Sequence, residues 1–184
     1  MLGDANGTPL TPHLNMKRLA LGFSQVTLDA TERISANGEG SVGVYQSRGS
    51  YSNGAFSYSG GDLVLRTPLL TGEAASVSRI TAGGALRLSG AGQAVGAAAI
   101  GGSLYLVADS VTLDSAIALP SGKLSVRAER DITLGDGARI DMAGRGTTLF
   151  DQTRYSWGGD VELESKSGNI IQSYRIGRGR FRRL

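Results

Sequence analysis

Cysteine is absent from this chain of 184 residues, which excludes a disulfide scaffold, thiolate metal sites and cysteine nucleophiles. Secretion stays open, because a chain of this size can build a core without staples. Proline is scarce at 4 residues, so the chain is neither collagen-like nor a Pro-rich linker. The one histidine, His13, sits between Pro12 and Leu14. With no cysteine beside it, it offers no zinc ligand set and no Ser-His-Asp constellation. Apolar runs are short, and none approaches the ~20 residues of a membrane helix. Met16-Lys17-Arg18-Leu19-Ala20-Leu21-Gly22-Phe23 runs from charge to apolar as a signal peptide does, but its apolar part is too short and fifteen residues precede it. Neither end carries an address, so the expectation is an internal piece of a longer protein.

Basic charge is also scarcer than the formal net charge of +3 suggests. Five arginines (175, 178, 180, 182 and 183) crowd the last ten residues; without them, 14 basic residues face 16 acidic ones. The body is mildly acidic, and no nucleic-acid partner is expected. The tail, 175–184, reads as a solvated Arg-rich end, although Gly/Arg segments of this kind also contact phosphates.

Glycine, by contrast, is abundant: 28 residues, about twice the usual share of roughly 7%. Hydrophobic residues make up 40% and charged residues 19%, enough apolar content for a core and too little charge for a disordered chain. The glycines are ordered in a repeat. Gly-Gly followed by an alternating apolar pair occurs at Gly60-Gly61-Asp62-Leu63-Val64-Leu65, Gly83-Gly84-Ala85-Leu86-Arg87-Leu88, Gly101-Gly102-Ser103-Leu104-Tyr105-Leu106 and Gly158-Gly159-Asp160-Val161-Glu162-Leu163. A weaker copy is Ser121-Gly122-Lys123-Leu124-Ser125-Val126. The leading leucines 86, 104 and 124 step by about 20 residues, near the period of a solenoid coil.

Within the period, apolar residues come in pairs at spacing two. Leu104/Leu106, Val111/Leu113 and Ile117/Leu119 are followed by Leu124/Val126, Ile132/Leu134 and Ile140/Met142. Such pairs, bounded by Gly, Asp, Ser or Pro, are strand signals. Three strands per coil of about 20 residues predict an all-β chain folded as a parallel β-helix, a solenoid in which each coil buries its apolar face against the next. The expected organisation is an irregular leader over 1–23, coils over 24–174 and the tail over 175–184. Two stretches break the rhythm, near 35–60 and 143–157. Both hold aromatic residues and read as loops extruded from the rod, where binding residues concentrate. Phe150, Arg154, Tyr155 and Trp157 are the candidate binding residues. Aromatics that cap gaps in the stack are the plainer alternative.

The run Ile132-Thr-Leu-Gly-Asp-Gly-Ala-Arg-Ile-Asp-Met-Ala-Gly144, a loop, and then Tyr155-Ser-Trp-Gly-Gly-Asp-Val-Glu-Leu-Glu-Ser-Lys-Ser-Gly-Asn-Ile170 resembles the filamentous haemagglutinin family. Thr81-Ala-Gly-Gly-Ala-Leu-Arg-Leu-Ser-Gly90 is similar to the same repeat. The resemblance covers roughly residues 60–172. It implies a right-handed parallel β-helix, here a fragment of the rod of a large exoprotein of Gram-negative bacteria, exported by two-partner secretion through an outer-membrane transporter. It also implies a place at the outer cell surface and a role in adhesion to host or neighbouring cells, without catalytic residue, cofactor or metal. The secretion domain of the family is not present in these residues. An autotransporter passenger shares the same physics.

Two chemical alternatives can be weighed on residues. Ser89-Gly90-Ala91-Gly92-Gln93-Ala94-Val95-Gly96 offers G-x-G-x-x-x-G, but a dinucleotide site needs a helix next and an acidic residue about twenty positions on. A solenoid corner accounts for these glycines. Asp109, Asp114, Asp131, Asp136 and Asp141 lie near Arg127, Arg130 and Arg139, and β-helical polysaccharide lyases and hydrolases use such carboxylates. Asp131 and Asp136 bracket one strand and are the catalytic candidates of that reading. Aspartates at strand ends more commonly shape turns through side chain–backbone hydrogen bonds. The calcium-binding nonapeptide is absent, since the Gly-Gly copies lack its third glycine.

Overall fold

The computed structural model describes residues 16–90 and 99–172. Those residues form strands and turns, with no helix among them. The apolar pairs become strands because spacing two sends alternate side chains to one face. The chain passes through three walls in turn. The first coil is β1 (Met16–Leu21), β2 (Gln25–Asp29) and β3 (Ile34–Ala36). The second is β4 (Glu39–Tyr45), a hairpin of β5 (Ser47–Ser52) and β6 (Ala55–Ser59), then β7 (Asp62–Arg66) and β8 (Leu69–Gly72). The third coil contributes β9 (Val77–Ala82) and β10 (Ala85–Ser89), and the fourth β11 (Ser103–Ala108), β12 (Ser110–Asp114) and β13 (Ala116–Ala118). The fifth is β14 (Lys123–Ala128), β15 (Ile132–Leu134) and β16 (Arg139–Asp141). A second hairpin, β17 (Gly146–Leu149) and β18 (Gln152–Tyr155), precedes β19 (Asp160–Ser165) and β20 (Ile170–Gln172).

Outside the hairpins these strands pair in parallel. The first wall is ordered β1-β4-β9-β11-β14-β19, the second β2-β7-β10-β12-β15-β20 and the third β3-β8-β13-β16. In-register pairing turns the apolar pairs into columns. Val26, Leu63, Leu86, Val111, Ile132 and Ile170 align in the second wall, and Ile34, Leu70, Ile117 and Ile140 in the third. Leu63, Leu65, Leu86, Leu88 and Leu113 are wholly buried, each such side chain contributing roughly 1.5–3 kcal/mol of transfer free energy. The third wall skips a coil: β8 pairs directly with β13. Hydroxyls bridge the same step, Ser115 Oγ donating to the Thr67 carbonyl at 2.6 Å and Thr71 Oγ1 to that of Ala118 at 2.7 Å. Of the Gly-rich corner read at 89–96, residues 91–96 lie outside the described residues, as do His13 and the tail.

Three expectations are corrected. The leader is not irregular throughout, because Met16–Leu21 forms β1 and pairs with β4 from Met16↔Gly40 to Leu21↔Tyr45. Lys17 and Arg18 hide its alternation, and β1, the end strand of its wall among the described residues, tolerates charges that a central strand would not. The loop near 35–60 is shorter than read, since β3 and β4 occupy its first part and only Ser47–Ser59 leaves the coil. The Gly-Gly copies are not equivalent. Those at 60 and 83 precede strands of the second wall, and those at 101 and 158 precede strands of the first. Leu86 therefore pairs with Val111, and Leu104 with Leu124. What the copies share is backbone crowding at the corners. A Cβ on Gly122 would strike the carbonyl oxygen of Gly102, and one on Gly159 that of Gly122. Only hydrogen fits between these layers.

Candidate functional site

The two hairpins leave the stack at different corners. The first connects a first-wall strand to a second-wall strand, and the second connects β16 of the third wall to β19 of the first. At the first, Gln46 N–H donates to the carbonyls of Ser59 and Gly60, both at 3.1 Å. Gly61, with φ +88°, lies so close to the Tyr45 backbone that a Cβ would sit 2.8 Å from Tyr45 Cα. The turn is Asn53-Gly54, with φ +50° and +82°, residues that take this region at little cost. Phe56 and Tyr58 alternate with serines, so one face of the hairpin is aromatic. Tyr51 packs edge-on to Phe56 at 5.0 Å, Tyr45 meets Tyr58 at 4.9 Å, and the Arg48 guanidinium lies 4.5 Å from the Phe56 ring centre. Burial raises the pKa of Tyr45, opposed by a hydrogen bond with Thr81. The rings here contact one another, while Tyr51 stays 64% exposed and Phe56 41%.

The second hairpin is built differently. Its root is a polar knot. Ser156 N–H donates to the Arg145 carbonyl at 3.0 Å, Arg145 N–H donates to Ser156 Oγ at 2.8 Å, and Ser121 Oγ donates to the Trp157 carbonyl at 2.7 Å. The Arg145 guanidinium also holds Asp141 at 2.7 Å. That bond, with a second from Ala143 N–H, keeps the Asp141 carboxyl below the usual carboxylate range. The tip is strained, for Phe150 has φ +57°, a region that costs a bulky residue roughly 1–3 kcal/mol.

The four candidate residues stand around this hairpin and do not form one patch. Phe150 is at the tip and fully exposed; Tyr155 is 80% exposed and Trp157 91%. Tyr155 ends β18 opposite Gly146, and its ring covers the place where a Gly146 Cβ would be. Arg154, opposite Thr147, points from the other face, as neighbouring strand residues do. Trp157 follows the root. Among the described residues, ring-on-ring contacts occur only at the first hairpin. Sequence reasoning placed Tyr51, Phe56 and Tyr58 in an extruded loop but did not read the hairpin that pairs them, nor single out Arg48. Their signal was available: Ser/aromatic alternation about Asn-Gly is a strong short-range hairpin pattern.

Three aspartates tie neighbouring coils together. Asp62 Oδ1 accepts from Ala85 N–H at 2.8 Å, Asp114 Oδ1 from Gly137 N–H at 2.7 Å, and Asp131 Oδ1 from Asn169 N–H at 2.8 Å. Each bond reaches from one coil to the next. Asp109 pairs with Arg130 and raises its pKa, and Glu162 is held low by Arg127 and the Ser125 hydroxyl. No cluster of three or more acidic or histidine side chains among the described residues is placed to hold a metal ion. Comparison with known protein families, curated proteins and solved structures finds no match to this chain.

Proposed function

We propose that this chain is a segment of the rod of a large secreted surface adhesin, similar to the filamentous haemagglutinins, which holds its second hairpin out for attachment to host or neighbouring cells. The observation that carries the reading is the contrast in exposure. The middle of the stack buries Leu63, Leu65, Leu86, Leu88, Leu106 and Leu113 completely, while Phe150, Tyr155 and Trp157 are left 80% or more exposed around one rooted hairpin. Exposed aromatics on a rigid support are the residue type that anchors interfaces. The rod itself is read as a right-handed parallel β-helix with about 20 residues in a plain coil. The hand is supported by the rule that parallel crossovers are right-handed in about 98% of cases, and the coil length by the pairing of Leu104 with Leu124.

The same proposal places the full-length protein on the outer surface of a Gram-negative bacterium, exported through an outer-membrane transporter of the two-partner type. Its action is mechanical and adhesive, without catalysis or cofactor. Asp131 supports this, being held by Asn169 N–H as a staple between coils.

The test is binding of fluorescently labelled full chain to cultured epithelial cells and to Gram-negative bacteria, with and without Phe150→Ala, Tyr155→Ala and Trp157→Ala combined. Loss of a buried aromatic anchor costs about 2 kcal/mol or more, so at least a thirtyfold drop in affinity is expected. Equal binding by the triple variant, with an unchanged melt, would remove the second hairpin from the reading.

A further inference from the structure

Two Asn-Gly pairs lie among the described residues, Asn37-Gly38 and Asn53-Gly54, and all four residues are exposed. Both glycines have positive φ, +68° and +82°, and a Cβ on either would meet nothing within 4 Å. In dipeptide and in local space the two pairs are alike. They differ in what holds their backbone.

Asn37-Gly38 is the corner between β3 and β4. Each flanking carbonyl accepts a bond from the next coil, that of Ala36 from Glu73 N–H at 2.8 Å and that of Gly38 from Val77 N–H at 3.0 Å. β3 pairs with β8, and β4 with both β1 and β9. Moving this corner breaks bonds between coils. Asn53-Gly54 is the tip of the first hairpin, whose strands pair only with each other. The ladder is irregular between Arg48 and Tyr51, and every residue from 47 to 59 is exposed. A two-stranded ladder is marginal in water, so the tip opens at a smaller cost than the corner.

Opening matters because asparagine before glycine carries an electrophile and its nucleophile together, and asparagine is thermolabile. Without a Cβ beside it, the Gly54 nitrogen reaches the Asn53 side-chain amide once the turn relaxes. We propose that Asn53 is a site of spontaneous covalent modification, in which the Gly54 backbone nitrogen attacks Asn53 Cγ and permanently alters the first hairpin, while the stack protects Asn37. The N–Cγ bond forms, the Gly54 amide proton passes through solvent to the departing nitrogen, and ammonia leaves. Water then opens the cyclic imide. Breaking the new Cγ–N bond gives aspartate. Breaking the bond from the Asn53 main-chain carbonyl gives isoaspartate, with the chain rerouted through Cγ. Water is the sole co-reactant, and nothing is oxidised or reduced.

Both products place a carboxylate at the tip. Isoaspartate also adds a methylene to the main chain, which a two-residue turn of fixed register does not absorb. Tyr51 and Phe56, paired beside the turn with their rings 5.0 Å apart, then lose their alignment. The second hairpin, 146–155, has no asparagine and is untouched. The inference rests on backbone tethering and is independent of the adhesive reading.

Peptide mapping by mass spectrometry tests it on the full chain, incubated at mildly alkaline pH. Asn37 and Asn53 fall on separate tryptic peptides, as does Asn6-Gly7, which lies outside the described residues. Asn169, whose neighbour Ile170 shields the attacking nitrogen, is the internal control. In the folded chain Asn53 is expected to modify at least about fivefold faster than Asn37, a difference of about 1 kcal/mol in the cost of opening. Isoaspartate is expected among its products. In urea the two sites modify at comparable rates, because the stack no longer distinguishes them, and Asn53→Gln loses the modification at that position. Asn53 modifying no faster than Asn37 in the folded chain overturns the proposal. So does aspartate without isoaspartate, which means direct hydrolysis rather than attack by Gly54. A lead for Asn53 that persists undiminished in urea overturns it too, since the difference then belongs to the flanking sequence.

Discussion

The two hairpins solve the same problem, an antiparallel excursion from a parallel stack, with opposite local chemistry. The first turns on Asn53-Gly54, which accepts positive φ, and spends its aromatics on one another. The second puts Phe150 into positive φ at its tip and leaves its rings in solvent. A segment in which every local preference agrees explains itself by folding alone. A segment that keeps a strained, exposed aromatic on a well-tied root points outside itself for its explanation. On that contrast, rather than on aromatic content, rests the proposal that the second hairpin is the binding element.

The comparison breaks most visibly in a deletion pair. Replacing residues 146–155 with a short Gly-Ser link removes cell binding in the labelled-chain assay, whereas replacing 47–59 leaves it within about twofold, a change below 0.5 kcal/mol. Equal losses would end the distinction. The turns give the next largest effects, with opposite signs. Gly54→Ala forces a Cβ into φ +82° and costs about 1–2 kcal/mol. Phe150→Gly relieves a strained position and gains up to about 1 kcal/mol, while cell binding falls. Thermal melts read both, and a loss at each turn would mean that Phe150 is unstrained.

The smallest effect is in pH, and again the hairpins differ. Asp141 has its folded pKa lowered by Arg145, so its contribution is complete above the ordinary carboxylate range and is lost as pH falls through the lowered value. The root of the second hairpin therefore loosens in acid. Tyr45 has its folded pKa raised by burial, so its contribution is complete below the ordinary phenol range and is lost as pH rises through the raised value. The first hairpin loosens in alkali. Trp157, the single tryptophan, reports on the acid transition by its fluorescence, and Asp141→Asn abolishes that transition. An acid transition that survives Asp141→Asn belongs to other carboxylates.

Much of the stack was legible because its physics is periodic. Leu104/Leu106, Val111/Leu113 and Ile117/Leu119 fall on β11, β12 and at β13, and the following three pairs fall on β14, β15 and at β16. Gly-Gly was legible as a corner but not as which corner. Gly83 and Gly122 meet the same need, a backbone layer with no room for Cβ, at different edges of the stack, and sequence spacing does not distinguish them. β1 was hidden because edge position relaxes alternation, as Arg18 in an apolar column shows. At the site, aromatic content marked both excursions. It could not show that Tyr51 and Phe56 would pair across a turn while Phe150 and Trp157 stayed apart, since ring contacts depend on which strand faces match.

All of this presumes that coils stack in register, and the absence of cysteine makes that directly measurable. Thr112 and Thr133, far apart in sequence, are outward neighbours on β12 and β15. Arg87 is one strand further along the same column, paired with Thr112. Cysteines introduced at these positions and labelled with nitroxides report the spacing by electron paramagnetic resonance. The account predicts strong dipolar broadening for the 112/133 pair and weaker broadening for 87/133, the backbone separation growing by about 4.8 Å per strand. Two pairs without broadening, or 87/133 closer than 112/133, would contradict the parallel stack on which both hairpins stand.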